Sequence, residues 1–383
     1  MRRSNQLPGK TCLGIITIVL CVFGSFCFSW GAESEAKLTT IAGVPGNGYQ
    51  EGMREEAYLA SPRGLDVKNG MVVIADTDNN LIRGYGSNRV VLMAGSQNDK
   101  DAYGNPIGGY MDSSFNRALF NNPFDCLYLE NDTIAVADRD NHAIRVVGKS
   151  GVYTINGTAE QGYTEGRSGE AKFSYPSGLA KGRNGKFYVA DTGNHCIRIV
   201  DSKGVTSLVA GVPGTGGFRD GAVEEALFLE PTSVVMAEDG CIYVADSGNQ
   251  RIRKIADGQV TTLAGGIEEF YLDTEYRQPD SADGQGQAAR FWFPEGICMA
   301  GQVVIVADTG NHVIRAISPS GQVQVIAGNG EAGYQDGDKE TGMLNRPSDV
   351  AWENGILYIM DSGNSALRTI KFDPEKWMES LTP

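Results

Sequence analysis

Val306-Ala307-Asp308-Thr309-Gly310-Asn311-His312-Val313-Ile314-Arg315 is a stretch that the chain states six times. The other copies begin at Ile74, Val136, Val189, Val244 and Met360, and each holds an Asp and an Arg seven residues apart. The pairs are Asp76/Arg83, Asp138/Arg145, Asp191/Arg198, Asp246/Arg253, Asp308/Arg315 and Asp361/Arg368. Every copy reads as a β-hairpin. An apolar run ends in Asp, a short turn of Gly, Asp and Asn follows, and a second apolar run leaves. Gly and Asn suit such turns because they reach positive φ at little cost.

Working outward, a short β-like run precedes each connector, as in Leu38–Gly43, Val91–Gly95, Tyr153–Gly157, Ser207–Gly211, Thr261–Gly265 and Gln324–Gly328. The connectors are glycine-rich, and five carry an aromatic, as in Gly48-Tyr49, Gly109-Tyr110, Gly162-Tyr163, Gly217-Phe218 and Gly333-Tyr334. A proline then opens the next strand: Pro62, Pro123, Pro176, Pro231, Pro294 and Pro347. Proline is tolerated there because a first residue owes no ladder donor. Each unit therefore supplies four strands; in unit three these are Pro176–Ala180, Lys186–Asp191, Cys196–Val200 and Val205–Ala210. The repeated Asp residues lie 62, 53, 55, 62 and 53 residues apart. Short strands in units of this length point to a β-propeller. A solenoid would have shorter repeats and special end caps, whereas both ends here look like ordinary repeat material. The last unit stops after three strands, at Ile370. The run Lys37–Ala42 is expected to supply the fourth, closing the ring and abolishing two sheet edges. The expected architecture is all-β: six four-stranded antiparallel blades.

The six A-D-x-x-N-x-x-[IL]-R copies, with Met360 for Ala in the last, resemble NHL repeats. The connector Gly-Tyr-x-[Glu/Asp]-Gly-x4-Ala-x-Phe-x2-Pro at Gly162–Pro176 is similar to a long-spaced version found in secreted bacterial proteins. The resemblance covers about Lys37 to Ile370. It implies a propeller; similar propellers serve as protein-binding, RNA-binding, sensory and enzymatic modules, so it names no single activity.

Composition agrees with many tight turns: 50 glycines in 383 residues is roughly double ordinary usage. The formal charge is -14. Arg2, Arg3 and Lys10 begin the chain, and Thr11 to Trp30 is apolar and uncharged. Such a start reads as a signal peptide over residues 1–32, cut before Ala32, or as an uncleaved anchor, since twenty apolar residues can span a bilayer. The expected domains are this segment, a propeller over 33–371 and a tail over 372–383. Either way the propeller is expected outside the cell, secreted or tethered, and as a monomer. Without residues 1–32 there remain 30 basic and 47 acidic groups. A field of that sign repels phosphate backbones and anionic lipid, which argues against nucleic-acid partners. Cys12, Cys21 and Cys27 fall in the leader. Cys126, Cys196, Cys241 and Cys298 occupy four different repeat positions with no CxxC spacing, as buried small hydrophobes do; one disulfide among them stays open.

The only histidines, His142, His195 and His312, share one repeat position, whose counterparts are Asn80, Gln250 and Ser365. Pseudo-sixfold symmetry spreads them around the ring, so they cannot converge within the ~2 Å bonds of a zinc site. They are expected to act in the turns, and no metal or cofactor is expected. The six Asp/Arg pairs are expected to be structural. Gly328-Asn329-Gly330-Glu331-Ala332-Gly333 fits GxGxxG, but it is a connector copy without a βαβ unit. No GxSxG, HExxH or P-loop occurs. The Asp-rich segments 98–101 and 280–283 read as solvated turns rather than calcium loops.

What breaks the repeat speaks to function. The long connectors 96–112 and 267–283 precede blades two and five, which face each other across a six-membered ring. They are expected to flank a groove and carry Tyr103, Tyr110, Tyr271 and Tyr276 beside acids; mere loops are the alternative. The groove floor is expected at the starts of the inner strands: Arg63, Phe124, Asp125, Ser177, Thr232, Ser233, Glu295, Ser348 and Asp349. Aromatics beside acids suit a protein, peptide or glycan ligand. The first expectation is thus a binding or sensory module. The alternative is a metal-dependent hydrolase or lyase of the lactonase or amidating-lyase kind, with a pore-centred ion.

Overall fold

A computed structural model describes residues 36–102, 104–266, 269, 274, 276 and 279–381. The segment 1–32, with its expected cleavage, lies outside the described residues. Six antiparallel sheets make the six blades of a propeller. In blade three the strands are Pro176–Lys181, Phe187–Asp191, Cys196–Val200 and Thr206–Ala210, each within a residue of the expected bounds. The inner strands of blades two, four, five and six also open on their prolines. Blade one differs, its inner strand beginning at Leu65, past Pro62.

The ring closes as the sequence implies. Thr39–Ala42 pairs antiparallel with Ala366–Lys371 and completes blade six. Asp336 fixes the latch: its Oδ1 accepts from the Thr40 backbone N at 2.9 Å and from Thr40 Oγ1 at 2.7 Å, while Arg368 Nη2 donates to it at 2.9 Å. Blades one, four and five carry a fifth, two-residue strand: Gly52–Met53, Gly221–Ala222 and Gly284–Gln285. Each connector folds back onto the outer strand of the blade it leads into; single bridges from Ser113, Gly166 and Gly337 do this in the other three. The four expected strands form every blade, and the short additions arise because a connector that must return along the blade finds an unpaired edge on the way.

The core is also divided six ways. Each hydrophobic cluster lies between two consecutive blades, for example Phe173, Leu179, Phe187 and Val189 with Leu127, Ala135 and Ile144 at the junction of blades two and three. Alternating burial along each strand thus welds neighbours rather than filling one centre. The tail forms a helix, Pro374–Ser380, capped by the Asp373 carboxylate. Its Trp377 packs toward Phe372 against the junction of blades five and six. Cys126, Cys196, Cys241 and Cys298 are free thiols, and burial pushes the first two and Cys298 well above the ordinary range.

Candidate ligand-binding face

Inner strands run away from their opening prolines, so the hairpin turns of the repeated stretch share a face with the inner-strand starts. Each repeated Asp ends the second strand and each Arg sits on the third. The pairs close at 2.6–3.2 Å inside one blade, between side chains no more than 1% exposed. They are hairpin pairs, not inter-blade ones. Every Asp Oδ1 also accepts a backbone N–H, as from Ser174 to Asp191 at 2.8 Å, and every Oδ2 accepts the Nδ2 of the turn Asn. The Arg donates onward to the connector, as Arg198 does to Thr164 O at 2.7 Å, beneath the Tyr163 ring at 4.5 Å. A carboxylate so fully partnered, and buried, has nothing left for a ligand. Tyr110 belongs to this series: its ring lies over Arg145 at 4.9 Å and its hydroxyl meets Thr154 on the outermost strand. Expected in a groove wall, it is a repeat aromatic, because the connector puts the same ring over the same Arg in every unit that has one.

The turn position shared by the histidines is left-handed in all six blades. Its side chain spans to the next blade. His142, His195 and His312 accept at Nδ1 from the backbone N of Tyr175, Glu230 and Arg346 at 3.0–3.2 Å. Asn80, Gln250 and Ser365 accept likewise from Asn122, Phe293 and Ser61. The six residues so held precede the opening prolines, and all have φ between 42° and 51°. For Tyr175, Glu230, Phe293 and Arg346 that conformation carries strain. The strain turns six unlike side chains into a ring around the mouth.

Below that ring the inner strands meet at the axis. Arg63, Phe124, Asp125, Ser177, Thr232, Ser233, Glu295, Ser348 and Asp349 do come together there, around a cavity of only about 10 Å3. The floor is closed. Arg63 Nη1 reaches Glu295 Oε2 at 2.8 Å, from blade one to blade five. Phe124 lies between the guanidiniums of Arg63 and Arg139, at 5.4 and 5.3 Å. Ser177, Ser348 and Thr232 donate to carbonyls of the following blade. One layer lower, glycine alternates with an acceptor: Gly64, Asp125, Gly178, Ser233, Gly296, Asp349. Asp125, Ser233 and Asp349 each take the backbone N–H of Leu179, Ile297 and Leu65 in the next blade. The glycines are required here, since a Cβ at any of them would stand 2.5 Å from the neighbouring Asp125, Ser233 or Asp349 Cα. Burial pushes Asp125 up to about 8, with the Asp66 charge adding to it. Asp349 is driven well up by burial and then by Asp125. Among the described residues no three His, Cys, Asp or Glu side chains are arranged to hold a metal ion.

Open space lies beside this plug, between blades five and six. A recess of about 470 Å3 is lined by Trp292, Phe293, Glu295, Thr309, His312 and Arg346. The Trp292 indole is 42% exposed. Tyr276 joins its flank, edge-on to Phe293 at 5.6 Å and bonded to Glu230 at 3.0 Å. Tyr103 and Tyr271 lie outside the described residues. The 96–112 connector leans on blade one through Lys100 over Tyr49 at 5.7 Å, and Pro106 O accepts from Asn80 at 3.1 Å. Residue-level reasoning missed Trp292, Phe293, Arg346 and Arg139. The first three stand beside a recurrent proline at positions whose backbone repeats but whose side chains do not. Arg139 replaces the Thr or Ser that follows the repeated Asp in the other blades.

The NHL repeat family model matches residues 173–200 and 228–255, which cover the Asp/Arg hairpins of blades three and four. The chain is an NHL-repeat protein. This NHL-repeat propeller is 30% identical over 291 residues to the protein SUPPRESSOR OF QUENCHING 1, chloroplastic, of Arabidopsis thaliana, covering 72% of the chain and 27% of that protein. It is 26% identical over 344 residues to the Bos taurus NHL repeat-containing protein 2, covering 81% and 46%. The chain thus spans between about a quarter and a half of these curated relatives. Among solved structures, an auxiliary nutrient binding protein from Bacteroides ovatus superposes with a TM-score of 0.63 at 16% identity, over 88% of this chain and 77% of that one. That likeness is one of fold.

Proposed function

We propose that this NHL propeller is an exported binding or sensory module that takes a peptide or glycan segment across its mouth. The recess between blades five and six carries the reading. An exposed indole, a phenyl ring, a guanidinium, a carboxylate and an imidazole face one cavity, beside a mouth ring kept in strained conformations. Ligand sites pair apolar surface with a few convergent polar groups in this way, and Trp and Arg are the side chains most often dominant in such contacts. The basic, apolar start of the chain supports export. Among the described residues no helix is long and apolar enough to cross a membrane. A solved neighbour in fold is called a nutrient binding protein, which fits capture rather than turnover.

Glycan and peptide arrays probed with the wild-type protein, followed by titration of the best binder, test the proposal. Trp292→Ala is expected to weaken that binding about tenfold or more with the fold intact, as loss of a central aromatic anchor does. Unchanged binding in Trp292→Ala and Arg346→Ala would overturn it. A tightly held divalent ion, lost in Asp125→Asn with Glu295→Gln, would favour the hydrolase or lyase alternative.

A further inference from the structure

On the face opposite the mouth, where inner strands end, polar side chains strap three pairs of neighbouring blades together. Glu353 of blade six takes the backbone N–H groups of Asn69 and Gly70 in blade one, both at 2.7 Å. Lys68 of blade one reaches Asp132 of blade two at 2.7 Å, and Arg183 of blade three reaches Glu238 O of blade four at 2.8 Å. Between blades two and three the link lies further out, where Asn156 Nδ2 donates to Gly204 O and to Thr206 Oγ1, the latter at 2.7 Å. A cavity of about 490 Å3 stands there, entered past Lys68, Lys181 and Lys186 and walled by Tyr153, Phe187 and Asn131.

Lysines gather at its opening. The chain as a whole is at -14, yet the lining holds three lysines and one carboxylate, Glu130. Lys68 is shared with Asp132, and Lys181 stands at 3.7 Å from Asp66 while its side chain is 55% exposed. Lys186 is exposed on the turn Gly182–Lys186. The opposite wall is apolar, with Tyr153 45% exposed over it. A lysine ammonium is a mobile point charge suited to carboxylate or phosphate without a fixed geometry. An aromatic wall offers a flat apolar contact beside it.

We infer that the cavity between blades two and three binds a small organic anion, with its carboxylate or phosphate among Lys68, Lys181 and Lys186 and its apolar body against Tyr153, Leu129 and Ile155. Lys68 and Lys181 already lean on Asp132 and Asp66, but the exposed Lys181 and Lys186 ammonium groups are free to swing toward an entering anion, so the site selects by charge as well as by shape. It is independent of the mouth.

Phenyl phosphate is the probe, titrated calorimetrically at low salt into the full chain, with inorganic phosphate and benzyl alcohol alongside. Wild-type protein is expected to bind phenyl phosphate in preference to both controls. The Lys181→Gln/Lys186→Gln double variant is expected to bind it at least about tenfold more weakly, given the strength of charge-assisted contacts. Tyr153→Ala is expected to weaken phenyl phosphate while leaving inorganic phosphate as it was. Trp292→Ala, at the other face, is expected to change nothing. Both lysines are at the surface, so circular dichroism and thermal melting should match wild type. No binding of phenyl phosphate, equal affinity in the lysine double variant, or inorganic phosphate bound as tightly as its phenyl ester would each overturn the inference.

Discussion

The Asp/Arg hairpins and the ring of residues before the prolines stand on the same face and recur six times each, yet they differ in what they do with a side chain. In the hairpins the Asp carboxylate is saturated by the Arg, the turn Asn and a backbone N–H, and this arrangement is the same in all six copies. In the mouth ring only the backbone is used in common: the N–H of Ser61, Asn122, Tyr175, Glu230, Phe293 or Arg346 is taken by the preceding blade. The side chains differ at all six positions and make no common contact: Glu230 takes the Tyr276 hydroxyl, Asn122 donates to Asp140, and Tyr175 stands edge-on to His142. Repetition marks groups consumed by folding, while the variable side chains at a fixed backbone position are those on which the proposed binding role rests.

The comparison breaks most easily at the hairpins. Asp191→Ala would leave Arg198, fully buried, without its counter-charge. A loss of about 3–5 kcal/mol is expected, as for other buried pairs stripped of one partner. Urea unfolding should show it as a lower midpoint. A loss under about 1 kcal/mol would mean the hairpins are not the structural element assigned here. Next comes the axis. Gly178→Ala places a methyl 2.5 Å from the Ser233 Cα and from Thr232 O, and overpacking of that kind costs about 1–3 kcal/mol. Gly214, whose Cβ would meet nothing within 4 Å, has φ of +74°, so Gly214→Asn, which tolerates that region, is the neutral control.

A pH dependence separates the axis from both. Asp125 is buried and pushed up to about 8, against about 3.9 in an unfolded chain. The folded state therefore holds a proton the unfolded state has lost. The resulting stabilisation is full below about pH 4 and disappears as pH rises through 8. Thermal stability is expected to fall between about pH 4 and 8 and to level off above that, and Asp125→Asn to flatten that fall, since the amide stays neutral while still accepting from Leu179. Equal slopes in variant and wild type would show that Asp125 ionises freely. His142 and His312 work in the other direction: burial lowers both, and each must be neutral to accept at Nδ1. They remove stability as pH falls below about 6.5, which His142→Asn, the residue blade one uses, should lessen.

The architecture was legible because its signal is periodic. Six Asp/Arg spacings gave the blade count, the missing fourth strand of blade six pointed to Thr39–Ala42, and the offset from each proline gathered Arg63, Phe124, Asp125, Ser177, Thr232, Ser233, Glu295, Ser348 and Asp349 around one axis. Whether that axis is open depends on the reach of Arg63 to Glu295, which spacing does not encode. The mouth ring was hidden for a related reason. A residue before proline is expected in an extended conformation, and only the bond from the preceding blade holds Phe293 or Arg346 at positive φ. Tyr110 lies over Arg145, a placement that sequence alone does not fix, because a connector aromatic reads alike whether it stacks on a buried Arg or walls a groove.

The smallest effect on stability should accompany the largest effect on recognition. Trp292 donates its backbone N–H to Asp308 at 2.8 Å, and that bond survives truncation of the side chain. The indole itself is exposed against Gly310, whose Cβ would meet the ring at 2.4 Å. Trp292→Ala should therefore stay within about 0.5 kcal/mol of wild type, the usual range for surface changes, while losing ligand at the mouth. Gly310→Ala makes the complementary test, since it forces the indole off the turn without deleting it. If both variants keep wild-type stability and only Trp292→Ala loses ligand, the ring serves by its surface. If Gly310→Ala loses ligand as well, the turn below it sets the orientation, and the separation between spoke and rim is less complete at blade five than elsewhere.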